Sequence, residues 1–168
     1  MSLLKTTNPV ALRVLFSEDI YFVDDLGEQA IVEQPIVEVK ESIVFNYLGE
    51  NNKYFVILVN DPAVEHINSK DLDALTSILA AKKMEIRDVA ILNYAKYPKA
   101  TFSDVKSYFV NTRLVLFGIN PQQLGLPAME SNKICDHENV KVLASFSFAE
   151  MQADPSKKRI FWNEMKLL

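Results

Sequence analysis

The run Lys53-Tyr-Phe-Val-Ile-Leu-Val59 constrains the fold more than any other stretch of the chain. After Lys53 it is apolar without a break, so neither of its faces can be turned to water. That pattern predicts a central strand covered on both sides. The segments that follow supply a sheet and its covering helices in alternation. Ser69 to Lys83 predicts a helix: Asn68 can cap its start, Asp71 suits its first turn, and Leu72, Leu75, Ile78 and Leu79 fall on one face. Val89-Ala-Ile-Leu92 reads as a short buried strand. Thr101-Phe-Ser-Asp104 resembles a capping box with Asp in the place usually held by Glu or Gln, and Phe102, Val105 and Phe109 give that helix an apolar side. Arg113 to Phe117 and Lys141 to Phe146 read as two further strands. A short turn follows the second of them, and a last helix runs from Pro155 to about Lys166.

Strands separated by helices of this length need crossover connections, which predicts an α/β domain with a mainly parallel central sheet. Ser42-Ile-Val-Phe-Asn-Tyr-Leu48 precedes the central run across Gly49-Glu-Asn-Asn-Lys53, a hairpin-like turn. The two runs are expected to pair and add an antiparallel edge. Gly118 to Pro127 looks like a turn or short helical segment, and the mostly polar Ala128 to Asn139 like an exposed loop. Residues 1–35 differ in character from the rest. Asn8-Pro9 can start a short helix in which Val10, Leu12, Val14, Leu15 and Phe16 are apolar. This segment is expected to be an arm that covers the domain or is offered to a partner, leaving residues 36–168 as a single α/β domain.

The chain's 168 residues suit one domain with a full two- or three-layer core. A net charge of −4 argues against strong nonspecific DNA binding, which rests on many Lys and Arg contacts to phosphate. Protein partners, with weak or indirect DNA contact, are the expectation. No apolar run approaches the roughly 20 residues that a membrane helix needs. The apolar part of Met1 to Pro9 is too short for a secretory signal, so a cytoplasmic protein without a membrane partner is expected. Cys135 is the single cysteine, and no spacing of Cys or His suggests a metal site or a cluster. Gly27, Gly49, Gly118 and Gly125 are too scattered to cradle a phosphate, so no cofactor is implied. His66 and His137 lack neighbours spaced as a nucleophile and base, and both read as surface residues.

In an open α/β sheet, ligands gather beyond the C-terminal ends of the strands. Three segments end strands in that way. Leu58-Val-Asn-Asp-Pro62 is similar to the water-activating Gly-Gln-Asp-Pro-Tyr of classical uracil-DNA glycosylases, with Val59 for the Gly and Ala63 for the Tyr. Against the Gly-Glu-Ala-Pro-Gly of the iron-sulfur type, Asn60 stands where the acidic residue belongs. Val89 to Pro98 is similar to the strand whose Asn reads the uracil edge: Asn93 and Lys96 match, and Tyr97 takes the place of a cluster Cys. Lys141 to Lys166 resembles the closing strand and helix of that superfamily, aligned on Asp154-Pro155, Lys158-Arg159 and Trp162. Ser147 then stands at the position of the catalytic His and Phe148 at the Pro that follows it.

The resemblance to the uracil-DNA glycosylase superfamily implies a three-layer α/β/α fold. Its losses at Val59, Ala63, Tyr97, Ser147 and Phe148 imply a catalytically degenerate member. Within it the chain looks most like the psi subunits of bacterial DNA polymerase III, small linkers in the clamp-loader assembly. Psi chains end with a Leu-rich turn, an Asp-containing helix start, basic residues and a Trp; Phe148-Ala-Glu-Met151, Asp154-Pro155, Lys158-Arg159 and Trp162 stand in those places. That likeness implies a non-enzymatic interaction subunit, with clamp-loader subunits as partners and Trp162, Val10, Leu12 and Leu15 as contact residues. The competing expectation is a divergent glycosylase using Asp61 to activate water and Asn93 to read a flipped base, with Ser147 in the same pocket. Each of these residues also has a plainer reading: Asp61 as a turn former, Asn93 as a cap on local backbone, and Trp162 as a core residue of the last helix.

Overall fold

Five consecutive residues, Phe55–Val59, form a strand (β2) in which every side chain is buried. The computed structural model describes residues 43–168, which lie within one compact unit, Lys40–Leu168. The expected arm, with Val10, Leu12 and Leu15, lies outside the described residues, as does Ser42. Strand β2 is flanked on one side by β3 (Val89–Asn93) and on the other by β4 (Arg113–Phe117), both parallel to it. Strand β6 (Val140–Ser145) continues the parallel set beyond β4. Short antiparallel strands close the two edges, β1 (Tyr47–Gly49) against β3 and β5 (Ile134–His137) against β6. The sheet order is therefore β1-β3-β2-β4-β6-β5.

The alternation hidden inside the apolar run emerges in the packing. Val56 and Leu58 join one core cluster, whereas Phe55, Ile57 and Val59 join another. Helix α1 (Ser69–Ala81) carries the chain from β2 outward to β3, and helix α2 (Phe102–Phe109) carries it back past β2 to β4. Crossovers of one hand that travel in opposite directions pass over opposite faces of a sheet. Accordingly Leu75 and Leu79 of α1 pack with Phe55 and Ile57, and Phe102, Val105 and Phe109 of α2 pack with Val56 and Leu58. Two helices after β6, α3 (Phe148–Ala153) and α4 (Pro155–Met165), share the α1 face through Phe148, Met151, Phe161 and Met165. Each such fully buried side chain contributes roughly 1.5–3 kcal/mol of hydrophobic stabilisation. The result is an α/β protein with a six-stranded mixed sheet and four α-helices among the described residues.

The local signals for α1 and α2 are realised. Asn68 caps α1 by accepting from the Asp71 N–H (2.9 Å). Thr101 and Asp104 form a reciprocal capping box at α2. Helix α1 stops at Ala81 instead of Lys83, because Lys82 caps it and Lys83 turns into the left-handed region (φ 56°).

Three expectations need correction. The run before Gly49 does not pair with the central strand: β1 pairs with β3, in the register Leu48↔Ile91. Both edges of β2 are already taken by β3 and β4. The connecting segment crosses the start of β3, where Asn51 and Lys53 donate backbone hydrogen bonds to Val89 and Asp88. Gly49 makes the crossing possible: it sits at φ +99°, and a Cβ there would fall 2.1 Å from the Val89 carbonyl oxygen. Second, the segment expected to be an exposed loop contains β5. Its hairpin to β6 turns on Glu138 and Asn139, both at positive φ, so His137 faces Val140 across a two-residue turn. Third, the turn expected after Phe146 is helix α3. Gly118 to Pro127 does hold a short helical element, a 3-10 turn at Pro121–Leu124. Among the described residues, no helix is long and apolar enough to cross a membrane.

Candidate functional site

The chain leaves β2 toward β3 and then returns to β4 on the other side, so the switch point of the sheet lies between the ends of β2 and β4. A ligand crevice in a sheet of this kind belongs beyond those ends. Asp61 follows β2, Asn93 closes β3, Gly118 follows β4 and Ser147 follows β6. The question is what these side chains have left to offer.

Asn93 is fully buried and has no spare capacity. Its Oδ1 accepts from the Asp61 N–H (3.1 Å) and the Ala95 N–H (3.2 Å). Its Nδ2 donates to the carbonyls of Asp61 (2.6 Å) and Val64 (2.8 Å). Two acceptor sites and two donors exhaust an amide side chain. Asn93 therefore stitches the loop after β2 to the end of β3.

Asp61 is half-buried beside it. One carboxylate oxygen accepts from the Ala63 N–H (3.0 Å), closing a local Asx-type turn. The other accepts from Nδ2 of Asn68 (3.2 Å), the residue that caps α1. Lys96 donates to the Pro62 carbonyl (3.0 Å), pinning the same loop from the β3 side. Tyr97 accepts from the Asn46 N–H (2.8 Å) through its hydroxyl and packs edge-on against Phe45. It anchors the segment leading into β1.

Ser147 takes no part in the Asp61–Asn93 network. It is the N-cap of α3, accepting from the Glu150 N–H (3.3 Å), while the Glu150 carboxylate accepts from the Ser147 N–H and hydroxyl (2.9 Å each). Lys157 also donates to Glu150 (3.0 Å). The Ser147 N–H, the Lys157 ammonium and the Ser147 hydroxyl together hold the Glu150 carboxyl down at about 2. Space beside Ser147 is taken by the backbone after β4: Gly118 sits at φ +66°, and a Cβ there would lie 2.8 Å from Cβ of Ser147. Phe148 points inward and is only 5% exposed, stacked on Phe117 with ring centroids 4.4 Å apart. The structure thus joins Asp61 to Asn93 and sets Ser147 in a separate cap.

The histidines sit apart from these networks. His66 is half-buried, and its Nδ1 has no hydrogen-bond partner. His137 lies in β5, edge-on to Phe102. Among the described residues, no group of three or more His, Cys, Asp or Glu could hold a metal ion.

An open groove of about 800 Å³ lies elsewhere, on the helical face that α1 shares with α3 and α4. Trp162 lines it, partly buried against the core cluster beneath, so this residue is both a core contact and a wall. Phe148, Met151 and Phe161 also line it, and Lys158 and Arg159 are its charged members. The α1 wall, with Ala74 and Ile78, was not singled out by sequence reasoning beyond its helical periodicity. The signal existed only as half-exposed apolar positions flanking the buried Leu75 and Leu79. No family model matches this chain, and a search of curated proteins finds no match to it.

Proposed function

We propose that this chain is a non-catalytic protein-interaction subunit built on a uracil-DNA glycosylase-like, three-layer α/β/α fold, similar to the psi subunits of bacterial clamp loaders. The observation that carries the reading is that Asn93 is saturated and Asp61 is engaged within its own loop. A glycosylase needs a carboxylate aimed at water and an amide free to read a base edge. Asn93 spends both its donors and both its acceptor sites on backbone, and each Asp61 oxygen holds a neighbour of its own loop. The helices on both faces of the doubly wound sheet support the fold part of the proposal. The partly buried Trp162 beside two basic side chains supports a contact role for the last helix. Val10, Leu12 and Leu15 are proposed as a second contact on sequence grounds.

The partners proposed are clamp-loader subunits of the native host, with the chain acting in the cytoplasm and touching DNA weakly or through them. Tagged full-length chain mixed with those purified subunits should retain at least one of them through gel filtration. Recovery of none would remove the psi-like assignment and leave the α/β architecture untouched.

A further inference from the structure

The groove has a shape that names its occupant. On α1 its wall is made by Ala74, Ser77, Ile78 and Ala81, spaced i, i+3, i+4 and i+7. On α4 the opposite wall is Pro155, Lys158, Arg159 and Trp162, with the same spacing. Residues so spaced form one stripe along a helix. At 1.5 Å per residue each stripe runs for about 10 Å, or two turns. The floor is the buried Phe148, Met151 and Phe161.

Both ends of the trough are fastened by polar bridges. Gln152 at the end of α3 donates to Asp71 in the first turn of α1 (3.1 Å), and Lys82 at the end of α1 donates to the Met165 carbonyl of α4 (2.6 Å). The walls are thus held apart at a fixed spacing while the middle stays open. Two helical stripes over an apolar floor fit a third helix lying between them, the geometry by which amphipathic helices dock into grooves.

Charge sets the occupant's polarity. The chain as a whole is acidic at −4, yet the charged groove residues are both cations and none is an anion. Among the described residues, no hydrogen bond or ion pair engages Lys158 or Arg159, whereas Lys157, one residue earlier, is held by Glu150 and lies over the Phe146 ring. We propose that the groove between α1 and α4 binds an amphipathic helix of a protein partner, its apolar stripe on the floor and its acidic residues over Lys158 and Arg159. The inference rests on reading the chain as an interaction subunit and adds the chemistry of the partner.

The test uses the full chain and its single tryptophan, Trp162, as the reporter. Two helical peptides of about three turns carry Leu at i, i+3, i+4 and i+7. Their flanking positions hold Glu in one and Lys in the other. The acidic peptide should shift Trp162 emission saturably, and the basic one should bind about tenfold more weakly or less. Lys158→Glu/Arg159→Glu, both exposed and checked for folding by circular dichroism, should reverse that preference. Equal response to the two peptides, or no response to either, overturns the proposal. So does an oligothymidylate that shifts Trp162 and loses the effect in the double variant, which would make the groove a nucleic-acid site. Uracil release by the same preparation would instead remove the interaction-subunit reading; silent peptides without uracil release remove only the groove assignment.

Discussion

At the C-terminal ends of β2 and β3 the polar side chains bond to one another's loops, whereas in the groove between α1 and α4 the exposed Lys158 and Arg159 have no partner among the described residues. All four bonding sites of Asn93 are occupied within the fold, each Asp61 carboxylate oxygen accepts from a neighbour, and Ser147 is committed to a helix cap. Lys158 and Arg159 line a largely apolar groove and have no ion partner among the described residues. A saturated buried network rigidifies a core and specifies it. An unsaturated rim over an apolar floor leaves interaction free energy to be realised with something else. The difference teaches that the polar side chains at these strand ends serve to fasten the loops that carry them.

If that comparison is sound, substitutions at the strand ends should cost stability and those at the groove should not. The largest loss is expected for Asn93→Ala, which strands part-buried N–H and carbonyl groups of the loops after β2 and β3. Each unsatisfied buried group costs about 1–3 kcal/mol, so a loss of about 3 kcal/mol is expected. It would be read as a lower urea midpoint at unchanged slope. A near-neutral Asn93→Ala would break the comparison. Next comes Gly118→Ala, which places a methyl against Ser147 in a left-handed conformation and should cost about 2 kcal/mol.

A smaller effect is expected at the α3 cap, where Ser147→Ala should cost about 1 kcal/mol. The cap also carries a pH signature. The folded Glu150 carboxyl titrates at about 2, below its ordinary 4.5, so the stability it lends is present above 4.5 and is lost as pH falls toward 2. The difference in urea midpoint between wild type and Glu150→Gln should shrink across that window. A difference constant from pH 6 to pH 2 would contradict the cap. The least effect belongs to the groove: Lys158→Glu/Arg159→Glu should move stability by under about 0.5 kcal/mol, as surface changes do, while altering peptide binding.

The parts of the fold that were legible in the sequence are those with local causes. The apolar run to Val59 announced a strand covered on both faces, and Asn68 and Thr101 announced where α1 and α2 begin. The pairing of β1 was not legible, because a hairpin signal cannot reveal that another strand will occupy the place beside β2. The β5–β6 hairpin was missed since its turn is Glu138-Asn139, which adopts positive φ without the glycine that usually marks it. Helix α3 had a written signal, the Ser147-Phe-Ala-Glu150 capping box, yet six residues are too few to show a periodicity. At the site, the positions of Asp61 and Asn93 were readable but their hydrogen bonds were not. Asn93 finds Val64 and Asp61 only because the sheet sets β2 and β3 side by side.

The most direct test of the strand ends as fastenings is a uracil-release assay on the purified full chain, using single- and double-stranded DNA, with Asp61→Asn run in parallel. The account predicts no release above a protein-free blank from either chain. Release by the wild type that disappears in a folded Asp61→Asn variant would contradict it.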